Sequence, residues 1–584
     1  MSYFLALSEG HGASVLSRYE RLRGEGRLCD VVLEAAGGTR FPAHRALLAC
    51  ASDYFWALFQ EHTQERHAHT VRLLQLSAAG LGCVLDFIYT SCLPLSLASL
   101  EDVLEAACYL QVVPAVQLCS RYIADNLHPD NCVFLANLAA RYGVADALSA
   151  ANRFVAGRMG ALLGHGGDRD GLLELNGDSL REVLAAEDMP GVREGALLRL
   201  LLDWLDRRAL SSLRSNLLLS RIRFGLVPPG ELTRLAAARP ALRTPFIRSL
   251  LQKALEYHQG GALQPLLQSE GSTLRSRAAQ VLLVGGADPE ADQPLAQVLT
   301  FDPRSRRFRR LTELPRAVQH HCVCTLGNFL FVLGGEEVEV DESGKPAGRA
   351  VSGRVWRYDP RFGRWEAAAA LAEARARFCC CVAEGAVLAV GGQGGGGRPL
   401  DSVEVYNMRA DTWRRGVALP AAMHGQACAA LGDHVYISGG IHGDRREASR
   451  EVYRLDPRGG RWEKRAAMSI ARTGHQMAAV GGRLYSFLGV YEPFCDIERF
   501  DPALNEWTRL RPLLQDRFCY GLAALGGRVL LFGGRKWRDA QEVATPTVLE
   551  YDPENDSWRE LCKMPAPLSG TQCALMHVLD PEET

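Results

Sequence analysis

Two short runs concentrate the side chains best suited to metal or thiol chemistry: His320-His321-Cys322-Val323-Cys324 and Cys379-Cys380-Cys381. Zinc held by thiolates and imidazoles needs spaced pairs such as C-x-x-C, with partners elsewhere that complete a tetrahedron. Both runs instead read as strands, in which adjacent side chains point to opposite faces and cannot converge on one ion. No metal and no other cofactor is expected. The 17 cysteines are otherwise scattered, and Cys83, Cys108, Cys119 and Cys428 fall inside apolar periodic segments. They read as reduced core thiols, not a disulfide framework. None sits in a context basic enough to predict a lowered pKa.

The chain that must position these groups has 584 residues, 47% hydrophobic and 23% charged, with a formal net charge of -1. At about 150 residues per domain it is multidomain. So neutral a chain is not drawn globally to a polyanion or a membrane surface, and nucleic acid is not an expected partner. No apolar run approaches the roughly 20 residues that span a bilayer. Residues 1–10 lack a basic stretch ahead of their apolar residues, so a cytoplasmic or nuclear location is expected.

From about residue 280 one unit recurs six times: an apolar strand ending in a glycine pair, a linker, an aromatic-Asp-Pro turn and a further aromatic. The pairs are Gly285-Gly286, Gly334-Gly335, Gly391-Gly392, Gly439-Gly440 and Gly533-Gly534, with Leu488-Gly489 as a degraded member. The turns centre on Asp302, Asp359, Asn407, Asp456, Asp501 and Asp552. The returning aromatics are Phe308, Trp365, Trp413, Trp462, Trp507 and Trp558, always 6 residues on. A carboxylate or amide accepting backbone hydrogens sets such a turn, and the aromatic fills the space between sheets. A period near 50 is that of kelch repeats, and six small sheets that cannot each bury both faces stack radially into a propeller. The first repeat starts at Val281 without a preceding strand. The chain's last strand, residues 570–576, matches the missing piece, so it is expected to complete the first blade and remove an exposed edge.

Residues 28–33 alternate apolar and polar, Gly37-Gly38 turns the chain, and a second strand ends near Phe41, which predicts a hairpin. Ser52 and Ser77 are placed as N-caps before helical spacings of Phe55, Leu58 and Phe59, and of Leu81, Val84, Leu85 and Ile88. The first domain is therefore α+β.

The runs Leu28-Cys29-Asp30-Val31-Val32-Leu33, Phe41-Pro42-Ala43-His44-Arg45 and Ser52-x-Tyr54-Phe55 resemble the BTB fold. Asn131-Cys132, Leu172-Leu173-Glu174-Leu175 and residues 187–205 resemble the helical BACK domain. With the repeats, nearly the whole chain resembles the kelch-like (BTB-BACK-Kelch) family. The resemblance implies a BTB/POZ dimerisation domain at 1–125, BACK at 126–260, a linker at 261–277 and a six-bladed all-β kelch propeller at 278–584. It also implies a non-enzymatic adaptor: BTB forms a homodimer and, with BACK, grips cullin-3 of a RING ubiquitin ligase, while the propeller holds a protein substrate. By the same resemblance Asp30 and Arg45 match a buried charged pair, with His44 beside it. Phe59, Thr63 and Glu65 match a cullin-binding motif in which Thr63 replaces a larger apolar residue. Family loops leading into the innermost strands hold the target. Here they carry Arg316, His320, Arg375, Arg377, Phe378, His424, Arg472, His475, Arg517 and Tyr520. Planar guanidinium groups on such a face imply an acidic or phosphorylated segment as ligand.

The same architecture admits a cytoskeletal, actin-type scaffold without ubiquitination, and Thr63 keeps that alternative open. A kelch propeller can also carry copper-radical oxidase chemistry, but that site needs converging Tyr, His and Cys ligands in a secreted protein. Glu336 and Glu337 open an acidic insertion, residues 336–350, that could sit at the basic face. Residues 164–171 read as a further loop insertion within the helical region.

Overall fold

The structure is a computed structural model. It describes residues 10–60, 63, 67–164, 167–208, 210–276, 279–291, 293–340, 346–443, 447–490, 496–513, 516–538 and 541–579. The chain divides into two compact units, residues 1–192 with 196–222, and residues 193–195 with 223–584.

In the first unit, strand Val31–Ala35 lies between Arg40–Ala43, antiparallel, and Thr70–Leu73, parallel. The expected hairpin is present, turned by Gly37 and Gly38 at φ 77° and 80°. The strand starts at Val31, later than the alternation suggests, because Leu28 has φ 58° and is left exposed. Ser52 caps helix Asp53–Leu58 by accepting from the Phe55 N–H at 3.1 Å, and Ser77 caps Ala78–Thr90 through the Gly80 N–H at 3.0 Å. Leu33, Leu48, Phe55, Leu81, Leu85 and Leu104 join one apolar core beneath the sheet. Helices continue from Cys132–Arg141 onward, and Asp168 caps the short helix Arg169–Leu172 in the expected insertion.

The second unit carries the propeller. Five four-stranded antiparallel sheets begin with inner strands Cys322–Leu326, Cys379–Ala383, Ala427–Leu431, Gln476–Val480 and Gly521–Leu525; they are blades 2 to 6. Blade 1 has Gln572–Met576 as its inner strand, paired with Gln280–Val284, so the C-terminal strand closes the ring as expected. The six inner strands touch one another in turn around the circle.

Each blade is locked by the repeat's own chemistry. Asp302, Asp359, Asn407, Asp456, Asp501 and Asp552 each accept the backbone N–H two residues on, at 2.9–3.0 Å. The paired aromatics pack in tilted contact directly across the two outer strands, as in Tyr358–Trp365 at 5.0 Å and Tyr551–Trp558 at 4.8 Å. Trp413, Trp462 and Trp507 then donate their indole N–H to a carbonyl of the preceding blade, at 2.8–3.0 Å. The acidic insertion forms a hairpin, Glu336–Val340 with Pro346–Val351, added to the edge of the blade 1 sheet.

Within this unit, residues 261–276 run as a strap against the propeller. Arg357 donates to the Gly261 carbonyl at 2.9 Å, and Arg361 donates to Gln264 at 3.2 Å while lying over the Phe329 ring.

Candidate functional site: the mouth of the propeller channel

At one end of the channel, the residue two positions before each inner strand takes a left-handed backbone: His320, Arg377, Gly425, Gly474, Cys519 and Gly570, φ 52–68°. A relay of backbone hydrogen bonds ties these loops. The Arg377 N–H donates to the His320 carbonyl (3.0 Å), Gly425 to Arg377 (2.8 Å), Gly474 to Gly425 (2.8 Å) and Gly570 to Cys519 (2.7 Å). Three of the six are glycine, which adopts this conformation without penalty. Of these six positions, only His320, Arg377 and Cys519 therefore carry a side chain.

A cleft of about 420 Å³ opens there, lined by Gln319, His320, Arg377, Phe518, Arg535 and Trp537 among others. The Arg377 side chain is 47% exposed, and its Nη2 lies 3.1 Å from His320 Nε2. Trp537 is exposed beside Phe518, ring centres 6.2 Å apart. The insertion reaches this rim: Glu336 lies 3.6 Å from Arg377 and 3.9 Å from His320, and accepts from Gln319 at 3.0 Å. Glu337 pairs with Arg354 and lies 3.9 Å from Arg316. The face is therefore basic but internally matched by Glu336, and it lies next to an aromatic shelf of Phe518 and Trp537.

Of the ten loop residues expected on this face, His320, Arg377 and the half-buried His424 meet at the rim, while Arg316 is exposed beside the hairpin. The other six are corrected to structural roles. Arg375, Arg472 and Arg517 are fully buried. Arg375 donates to the Gly391 and Ser402 carbonyls (2.9 and 3.1 Å) and pairs with Glu404 at 2.6 Å. Arg472 donates to the Leu488 and Asp496 carbonyls (both 2.8 Å) and pairs with Glu498 at 3.0 Å. Arg517 donates to Gly533 and Thr547 (3.0 and 3.1 Å), but the register position of the glutamate holds Leu549. Burial without that carboxylate pushes Arg517 down to about 10. Phe378 and Tyr520 are core, the Tyr520 hydroxyl donating to the Phe487 carbonyl at 2.7 Å. His475 is buried with Nε2 2.7 Å from the Ser438 hydroxyl.

Burial, reinforced by the Arg472 charge, pushes His475 down to about 3. Unfolded histidine takes up its proton below about 6.5. The stability His475 contributes is thus complete above pH 6.5 and falls as pH drops toward 3. The expected loss is about 2 kcal/mol at pH 5. His475→Gln, copying Gln426 at the same place in blade 4, should flatten that part of a melting-point profile between pH 7 and 5. An unchanged slope would show that His475 is not the group titrating.

Sequence reasoning placed Glu336 only as the start of the acidic insertion and missed Arg535 and Trp537. Each follows a glycine pair by one to three residues, and that spacing was the available signal. The strand reading of the His-Cys runs corresponds to Cys322–Leu326 and Cys379–Ala383. Among the described residues, no group of three or more His, Cys, Asp or Glu has the arrangement of a metal site, and no helix is long and apolar enough to cross a membrane.

In the first unit, His44 is buried with Nδ1 2.9 Å from the Tyr89 hydroxyl. Asp30 is exposed in the single chain, which corrects the buried pair: its carboxylate accepts the Arg45 backbone N–H at 2.8 Å, while the Arg45 guanidinium lies 4.7 Å over the Phe59 ring. Thr63 donates its hydroxyl to the Leu58 and Gln60 carbonyls at 2.6 and 2.9 Å. Glu65 lies outside the described residues.

An α+β domain and a helical region ahead of a closed six-bladed propeller, with a charged, aromatic-lined mouth, define a modular protein-interaction molecule. A BTB/POZ domain model matches residues 19–127, and a Kelch motif model matches 374–420, 422–469, 471–514 and 516–565. Kelch-like protein 34 of Homo sapiens is 45% identical over 99% of this chain and 97% of its own length. Kelch-like protein 36 of Bos taurus is 32% identical over 97% and 92%. The chain belongs to the kelch-like family.

Proposed function

We propose that the protein is a substrate-recognition adaptor of a cullin-3 RING ubiquitin ligase, its N-terminal half holding the cullin and the propeller mouth holding a target protein. It performs no chemistry itself and acts in the cytoplasm or the nucleus. The observation that carries the recognition half is the mouth cleft, where Arg377 and His320 hold a carboxylate beside exposed Trp537. The target's contact is an acidic or phosphorylated segment that replaces Glu336 on these groups. Helix His11–Gly24 has no buried residue in the single chain, which supports its use in a twofold homodimer. A dimer offers two mouths, so a divalent target gains affinity through effective concentration.

The test of the ligase half is cullin-3 capture by the purified full chain. Glu65→Lys should abolish it. Thr63→Leu should strengthen it several-fold, since restoring buried apolar area contributes on the order of 1 kcal/mol. Absence of capture by folded dimer would favour the cytoskeletal scaffold, a reading that the polar, self-bonded Thr63 supports.

The mouth is tested with a phosphoserine-containing acidic peptide array. Arg377→Glu should lower retention at least tenfold, and Glu336→Gln should raise it several-fold by freeing Arg377. Identical binding by all three proteins would remove the mouth as the ligand site.

A further inference from the structure

Three neighbouring inner strands carry, at the same three register positions, Cys322-Val323-Cys324, Cys379-Cys380-Cys381 and Ala427-Cys428-Ala429. The first and third positions of one strand face the next blade, and the middle position of that next strand faces back. Cys322 and Cys324 thus lie in the core between blades 2 and 3, with Cys380 packed against it. One blade on, Cys379 and Cys381 lie in the following core with Cys428 packed against it. The next interface holds Ala427 and Ala429 around Met477. Small residues flanking one larger residue are the rule, and thiols alone would satisfy that packing.

The first trio has more than packing. Cys322 Sγ donates to the Phe378 carbonyl at 3.0 Å and Cys380 Sγ to the Val323 carbonyl at 3.3 Å, so each thiol reaches across to the other strand. The neighbouring Cys322 and Cys324 thiols hold the Cys380 thiol below the usual cysteine range against the opposing effect of burial. In the second trio, hydrogen bonding and burial push both Cys381 and Cys428 well up. Cys380 is only half-buried and lines a channel cavity of about 440 Å³ whose rim includes Gly425, Gly474 and Gly570. A molecule as small as hydrogen peroxide fits that passage.

We propose that Cys380 is a peroxide-reactive thiol, resolved by Cys322 or Cys324 into a disulfide that ties blade 2 to blade 3. The Cys380 thiolate attacks one peroxide oxygen; the O–O bond breaks, hydroxide leaves, and the sulfur becomes a sulfenic acid. The resolving thiol attacks that sulfur, the S–O bond breaks, and the leaving hydroxide takes the thiol proton as water. Overall, two thiols and one hydrogen peroxide give one disulfide and two waters. The bond forms three residues from Arg377, so oxidation stiffens the two blades beside the mouth.

The experiment treats the full chain with hydrogen peroxide, blocks free thiols with iodoacetamide and maps tryptic peptides by mass spectrometry. The peptide carrying Cys322 and Cys324 should be linked to that carrying Cys379–Cys381. The linked fraction should fall at least tenfold in Cys380→Val, which copies the Val323 position, and stay unchanged in Cys428→Val. Melting curves establish that each variant is folded. No link in folded wild-type protein, or a link that survives Cys380→Val, would overturn the proposal.

Discussion

Replacing Arg472 by methionine is expected to cost the propeller about 3–5 kcal/mol, while the same replacement at Arg517 costs about 1 kcal/mol. The two arginines occupy equivalent places, and each bonds two carbonyls of its own blade. They differ in what is left behind. Glu498 is fully buried, and without Arg472 it becomes an uncompensated interior charge. Behind Arg517 stands Leu549, so its loss orphans only two carbonyls and removes a cation already weakened by burial. Blade 4 provides the neutral solution within the same chain, with Met423 and Tyr453 in the two places. Arg472→Met with Glu498→Tyr should therefore recover most of the loss. It will not recover all, because the Ser469 N–H donates to Glu498 at 2.8 Å and loses its acceptor. Denaturant unfolding of the full chain, followed by tryptophan fluorescence, measures all four proteins. Equal losses at Arg472 and Arg517 would sink the argument.

That contrast also explains what the sequence conveyed and what it hid. The Asp-to-aromatic spacing was legible because both ends act locally: the carboxylate caps its own turn and the aromatic returns across one hairpin. Ring closure was legible as a missing strand at one end and a surplus one at the other. The face was misjudged for a definite reason. Arg375 and Arg377 stand two apart, so strand alternation would give them one orientation, yet Arg377 has φ 52°. That left-handed residue breaks the alternation and turns Arg377 to solvent while Arg375 stays inside the blade. Arg535 and Trp537 escaped notice because they follow the glycine pair instead of preceding an inner strand. Asp30 read as buried on resemblance, but its carboxylate serves a backbone N–H at the surface of the single chain.

Truncating Glu194 to alanine is expected to cost about 3–5 kcal/mol and to open the strap ahead of the propeller to proteases. The side chains of Glu194 and Arg275 are 1% and 3% exposed, and they meet bidentately at 3.1 and 2.9 Å. The same carboxylate accepts the Arg223 N–H at 2.7 Å, and the Arg223 guanidinium donates to the Thr273 carbonyl at 2.7 Å. Partners 81 residues apart left no local signature, so the clamp was invisible in the sequence. Removing the carboxylate strips a buried guanidinium of its counter-charge, the costly way to break such a pair. Glu194→Gln keeps the shape and loses only the charge, so it should cost about half as much. Arg275 precedes by five residues the strand Gln280–Val284 that receives the closing C-terminal strand. Loosening it frees the start of blade 1 and weakens ring closure with it. Limited proteolysis should then cut residues 261–276 in Glu194→Ala well before the blades, whereas unchanged cleavage and melting would mean that Arg357 and Arg361 hold the strap without the clamp.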